Sequence, residues 1–247
     1  GVDPLAYAGL VSEHLARWKA AARTAAPHGV VAVRERLAAS GWDAFFGNKG
    51  DGTALWASKR ASVAAMLRCY RQALDSVPGP RRAFEPQVFP PPLSDYSGVN
   101  WGVMADTTDA VGVKLYTMHW PMIARYWARD LVGTSDTPTL DIVTAAIADF
   151  LDFCDDPLPD GALLHYPPPD TPHPVGRMAQ IRKLQQAQRC ASPLPVIAFA
   201  HSYGTPADVG ERIAIAASAF GQGAPARLWL NRYGYLSDTK LADLGCM

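Results

Sequence analysis

The chain has 247 residues and carries 23 Lys and Arg against 23 Asp and Glu, so its net charge is zero with neutral His. That balance argues against a nucleic-acid binder and against a polybasic membrane-surface protein, because both need a basic face. With 49% hydrophobic and 19% charged residues, the composition predicts a folded protein with a large core rather than a disordered one.

No apolar run approaches the ~20 residues that a membrane-spanning helix needs. The amino terminus, GVDPLAYAGL, has neither the basic region nor the apolar stretch of a signal peptide. We therefore expect no membrane association, favour a cytoplasmic location and leave the oligomeric state open.

The first 77 residues predict helices, and strands alternate with helices from residue 78 onward. The predicted helices cover 4–24, 30–39, 53–77, 137–153, 175–189 and 208–220. The predicted strands cover 82–89, 111–116, 162–166, 195–200 and 227–231.

This alternation predicts an α/β fold whose strands are parallel neighbours in chain order, with helices outside. The length suits one (β/α)8 TIM-barrel-type domain over residues 1–247, with a helical segment at 1–77 and β/α units at 78–247. Five recognisable strands are too few to close such a barrel. Three alternatives stay open: further strands that the pattern hides, an open doubly wound sheet, or a partial barrel that lacks amino-terminal strands.

Polar and aromatic side chains recur towards the ends of the predicted strands, where α/β sheets bind ligands. Flat aromatic rings suit the C–H faces of sugars, and neutral hydrogen-bonding groups suit their hydroxyls. The pattern predicts a small-molecule or oligosaccharide ligand. The candidate site residues are Glu85, Gln87, Lys114, Tyr116, His119, Trp120, His165, His201, Tyr203, Trp229, Asn231 and Arg232.

Glu85 is the only carboxylate inside a predicted strand. A carboxylate facing the interior is costly unless it is paired or used in chemistry. Two compatible interpretations stay open, a catalytic acid/base and a salt bridge with Lys114 on the next strand.

Three histidines, His119, His165 and His201, follow or end predicted strands, as they do in metal-dependent barrel hydrolases. The chain has no His-x-His or Cys-x-x-Cys pair, however, and Asn231 stands where such enzymes use an aspartate. It also lacks a glycine-rich phosphate-binding loop. We therefore expect neither a bound metal nor a cofactor.

Three segments resemble the later strands of bacterial glycoside-hydrolase-like TIM-barrel proteins of unassigned activity. They are GVKLYTMHWPMIARYW (112–127), PVIAFAHSYG (195–204) and RLWLNRYGYLSD (227–238). The resemblance implies a glycoside hydrolase that works with two carboxylates, with Glu85 as the acid/base.

The chain departs from that pattern where His201 and Asn231 replace a second carboxylate. The remaining candidates for it are Asp95, Asp106, Asp109 and Asp170. The alternatives to a hydrolase are a non-catalytic carbohydrate-binding protein and a metal-dependent TIM-barrel hydrolase.

Overall fold

The computed structural model describes residues 4–46, 53–220 and 227–245. The helices are α1 (Pro4–Ala25), α2 (Val30–Ala39), α3 (Trp42–Phe46), α4 (Thr53–Ser76), α5 (Leu93–Tyr96), α6 (Trp101–Thr107), α7 (His119–Val132), α8 (Thr137–Phe150), α9 (Arg177–Ala191), α10 (Pro206–Phe220) and α11 (Asp238–Gly245). The strands are β1 (Gln87–Val88), β2 (Val111–Lys114), β3 (Val196–His201) and β4 (Arg227–Asn231). All six predicted helices are confirmed, with small differences at their ends.

The chain folds into two compact units, each built from separate segments. The first comprises the residues up to Ser58, His119–Tyr166 and Pro174–Gly176. The second comprises Lys59–Met118, Pro167–His173 and the chain from Arg177 onward.

The first unit is helical, and aromatic rings fill much of its core. Trp18 meets Trp42 edge to face with ring centroids 4.9 Å apart, and Trp42 lies 4.7 Å from Phe46. In α8, Val143 and Ile147 are fully buried at helical spacing, which is the apolar face that the sequence predicts.

The second unit contains the parallel sheet, in the order β1-β2-β3-β4. In the register, Val113 pairs with Ala198, and Ala198 pairs with Leu228. Helices α9 and α10 pack against β3. Val113 and Ala198 are fully buried, as in strands of covered parallel sheets. The predicted α/β class and the parallel chain order are confirmed.

The predicted strand at 162–166 is wrong, because this segment forms turns. The amide of Leu164 donates to the carbonyl of Gly161, and that of His165 donates to the carbonyl of Leu163. These local bonds satisfy the backbone without a partner strand. Leu164 is buried whereas Leu163 is exposed, a difference that mimics the alternation of a strand.

Within the described ranges, no pairing joins β4 to β1. Across the same ranges, no helix is both long and apolar enough to cross a bilayer.

Candidate ligand-binding site

The carboxyl edge of the sheet gathers polar and aromatic side chains on one face. Lys114 on β2 pairs with Phe199 on β3, which pairs with Trp229 on β4, so the three side chains lie side by side. The ring of Tyr116 lies 5.9 Å from that of Phe199 and 5.8 Å from that of His201. This face therefore continues beyond the end of β2.

Hydrogen bonds hold the outer part of this edge in place. The side-chain amide of Asn231 donates to the hydroxyl of Tyr116, and its carbonyl oxygen accepts from the amide of Arg232 at 2.7 Å. Arg232 has φ of 65°, a left-handed conformation that is uncommon outside glycine. Its guanidinium lies 5.7 Å from the centre of the Tyr203 ring. The sharp turn after β4 thus lets Asn231 contact Tyr116 while Arg232 contacts Tyr203.

A buried network of four side chains supports this edge. Arg212, on α10, donates through Nε to Thr117 Oγ1 at 3.2 Å and through Nη1 to the carbonyl of His201 at 2.9 Å. Its Nη2 lies 3.2 Å from Nδ1 of His173. Thr117 Oγ1 lies 2.7 Å from that Nδ1 and 3.3 Å from Nε2 of His201. Thr117, His201 and Arg212 are almost completely buried.

The donors and acceptors assign the protons of both histidines. The amide of Tyr203 donates to Nδ1 of His201, so Nε2 of His201 carries the proton and donates to Thr117. Arg212 also donates to that hydroxyl, which therefore donates in turn to Nδ1 of His173. Both rings are thus neutral and protonated at Nε2.

Burial and charge agree with that assignment. Burial and, to a smaller extent, the positive charge of Arg212 together lower the pKa of His173 to about 4, against an opposing effect of Asp208. Burial also lowers the pKa of Arg212, to about 10. At neutral pH the imidazole of His173 is therefore neutral and the guanidinium of Arg212 is charged.

A proline-rich loop covers the network. The amide of Gly204 donates to the carbonyl of Pro169 at 3.0 Å, and the hydroxyl of Tyr203 donates to that of Pro167 at 2.8 Å. Gly204 has φ of 112°, and a Cβ there would lie 2.7 Å from Nη2 of Arg212. Only glycine fits this close approach without displacing the arginine.

An open cleft of about 340 Å³ adjoins this loop. It is lined by Asp170, Tyr235 and Lys240, among others. The ammonium of Lys240 donates to the carbonyls of Ser202 and Tyr235, both at 2.9 Å. Lys240 thereby ties the turn after β3 to the turn after β4.

Glu85 and Gln87 do not lie at the carboxyl edge. Strand β1 begins only at Gln87, which pairs with Gly112, so Glu85 precedes the sheet at its amino end. The carboxylate of Glu85 pairs with Arg227, the first residue of β4, at 2.7 Å. The interpretation of Glu85 as the salt-bridge partner of Lys114, one of the two left open, is therefore wrong. Gln87 does share the face of Lys114, but its side chain is exposed.

His119, Trp120 and His165 belong to the first unit. His119 begins α7, with its ring 5.8 Å from that of Tyr166, and His165 is exposed in a turn. Trp120 is fully buried and stacks on Phe153 at 5.4 Å, so it offers no open face to a sugar. The prediction that Trp120 binds the ligand is therefore wrong, because its ring packs in the core.

The other candidates do lie together in the second unit. They are Lys114, Tyr116, His201, Tyr203, Trp229, Asn231 and Arg232. No group of three His, Cys, Asp or Glu side chains suited to a metal ion occurs among the residues that the structure describes.

Sequence reasoning missed Thr117, His173 and Arg212. Arg212 carried a signal, because it falls on the buried stripe of α10 between Val209 and Ile215. A cation on an apolar stripe indicates a buried polar network. His173, in an irregular loop, carried no such signal.

The chain matches no family model, no curated protein and no solved structure.

Proposed function

We propose that this chain is a carbohydrate-active protein that binds a sugar at the carboxyl edge of its sheet. The observation that carries the proposal is the grouping of Tyr116, Trp229 and Asn231 on one face of that edge. Trp229 is 39% exposed and offers an aromatic surface, while Asn231 and Tyr116 offer neutral hydrogen-bonding groups. Ligand sites commonly combine such an apolar surface with a few fixed polar groups.

The resemblance to glycoside-hydrolase-like barrels supports the same location. The segments that carry it, 112–127, 195–204 and 227–238, include the residues that follow β2, β3 and β4. We propose that the four parallel strands form part of a (β/α)8-type barrel, which would need further strands beside β1 and β4.

A protein that binds a sugar without hydrolysing it fits this site better than a hydrolase that uses Glu85 as its acid/base. A catalytic carboxylate has to reach the sugar, and Glu85 lies at the opposite end of the sheet in an ion pair with Arg227. The turns directly after the four strands, 89–92, 115–118, 202–205 and 232–237, contain no Asp or Glu.

Hydrolysis is the second candidate function, and we propose Asp170 as one of the two carboxylates that it needs. Asp170 lines the 340 Å³ cleft beside the carboxyl edge. If hydrolysis occurs, Asp170→Asn should abolish turnover of aryl glycosides, whereas Glu85→Gln should leave it unchanged. The opposite result would restore Glu85 as the acid/base.

A glycan-binding screen followed by calorimetry tests the binding proposal. We expect a sugar from the screen to lose affinity in Trp229→Ala and in Asn231→Leu. Tyr70→Ala is a matched control, because Tyr70 is another exposed aromatic residue of the same unit, on α4. Equal affinities in all three variants would contradict the proposal, and so would the absence of any glycan ligand.

A further inference from the structure

We infer that the sugar bound at the carboxyl edge is anionic and that Lys114 binds its negative group. This inference rests on the proposed carbohydrate-binding function and specifies its ligand class. It is argued from the position of Lys114 and from the charges that surround it.

Lys114 is held at the ligand face by two aromatic rings. Its ammonium lies 5.5 Å from the centre of the Phe89 ring and 5.7 Å from that of Tyr116. Such contacts attract the ammonium group and restrict the position of the long side chain. The residue is half-buried, so part of it is open to solvent.

Within residues 4–46, 53–220 and 227–245, no carboxylate pairs with this ammonium. In the described part of the chain, no hydrogen bond or ion pair involves the Lys114 side chain. The four turns after the strands contain no carboxylate. The carboxylate of Asp208, on α10, accepts instead from the amide of Thr205 at 3.0 Å and from its hydroxyl at 2.8 Å.

A second cation lies behind the same edge. The guanidinium of Arg212 is 2% exposed, and its hydrogen bonds go to neutral acceptors on Thr117, His173 and His201. The carboxylates of Asp208 and Glu211 offset part of this charge, since both raise the pKa of Arg212 against the effect of burial. Burial is the main cause of the lowered pKa of His173, and the remaining positive charge of Arg212 adds to it. Lys114 at the ligand face, with the partly offset charge of Arg212 behind it, therefore favours negative over neutral ligands.

The combination defines the ligand chemically. Lys114 attracts a carboxylate, sulfate or phosphate group, while Trp229 and Asn231 suit the ring and hydroxyls of a sugar. A hexuronate, a sulfated hexose and a hexose phosphate share these features. Calorimetry with one ligand of each kind separates these three sources of the negative charge.

Calorimetry of the intact protein tests this inference with matched ligands. Glucuronate and galacturonate are compared with glucose and galactose, and glucose 6-phosphate and glucose 6-sulfate are included. We expect at least one anionic sugar to bind about tenfold tighter than its neutral counterpart, because a hydrogen bond between two charged groups is stronger than one between neutral groups. Salt should weaken that preference.

The variant Lys114→Met keeps the apolar stem of the side chain and removes its charge. It should reduce the preference to about onefold while leaving the affinity for the neutral sugar unchanged. Lys19→Met is the charge-matched control, because Lys19 is a half-buried lysine on α1 in the other unit. Lys114→Gln repeats the test should Lys114→Met fail to fold, as judged by circular dichroism.

Equal affinity for anionic and neutral sugars, or a preference that survives both Lys114 substitutions, would overturn the inference and leave the proposed function standing. Failure of every sugar to bind would instead overturn the proposed function and the inference with it.

Discussion

Thr117→Val should destabilise the protein strongly, because one hydroxyl bonds to the buried side chains of Arg212 and His201 and to the half-buried His173. The substitution keeps the side chain's shape and leaves Nε of Arg212 and Nε2 of His201 without acceptors. His173 Nδ1 keeps its contact with Arg212. A buried donor without a partner costs ~1–3 kcal/mol. The bond to His201 is long, so we expect a total loss of about 2–4 kcal/mol.

Thr107→Val is the matched control in the same unit. Thr107 is also buried, but its hydroxyl donates only to the carbonyl of Val103, one turn back in α6. Its replacement should cost less than about 1 kcal/mol. The assay is urea unfolding followed by circular dichroism. The network interpretation is refuted if Thr117→Val costs no more than Thr107→Val.

Three further predictions concern the same unit. The pKa of His173 is about 4 in the folded protein and 6.5 when unperturbed, so the unfolded chain takes up the proton first as the pH falls. The free energy of unfolding should therefore decrease between pH 6.5 and pH 4. Urea unfolding across that range should show a smaller decrease in His173→Asn. Gly204→Ala should lower the free energy of unfolding by about 2 kcal/mol more than Gly79→Ala, because only at Gly204 does the new Cβ meet a buried guanidinium. Gly79 is a matched control, since the two φ angles are alike, 112° and 116°. Equal melting temperatures of the two variants would contradict this prediction. Glu85→Gln should lower the free energy of unfolding by about 1 kcal/mol or less, since its partner Arg227 is half exposed. It should leave the affinity for the sugar unchanged. A loss of affinity at unchanged stability would reject this structural role.

The regular elements were predictable from the sequence because their apolar patterns are strong. The continuous apolar run of β3 and the helical spacing of apolar residues in α8 depend on local burial, which neighbouring residues reveal. The turn at 162–166 misled the prediction, since its buried Leu164 beside exposed residues copies the pattern of a strand.

The site was predictable only where it coincides with strand ends. Lys114, His201 and Asn231 are the last residues of β2, β3 and β4, so the parallel topology brings them to one edge of the sheet. The bond between Thr117 and His173 joins residues 56 positions apart, and no local pattern encodes such a contact. Glu85 was misplaced because β1 is two residues long and begins after it.

Hydrogen–deuterium exchange with a bound sugar tests the central claim, the location of the ligand site, most directly. The sugar from the glycan screen should slow exchange in the peptides that cover 114–118, 201–205 and 229–237. Two other clefts serve as internal controls, one on α1 and α2 around His28 and one at the amino end of the sheet around Pro195. Protection confined to the carboxyl edge is the result that we predict. Protection at either of the other clefts, with the carboxyl edge unchanged, would contradict the proposed site.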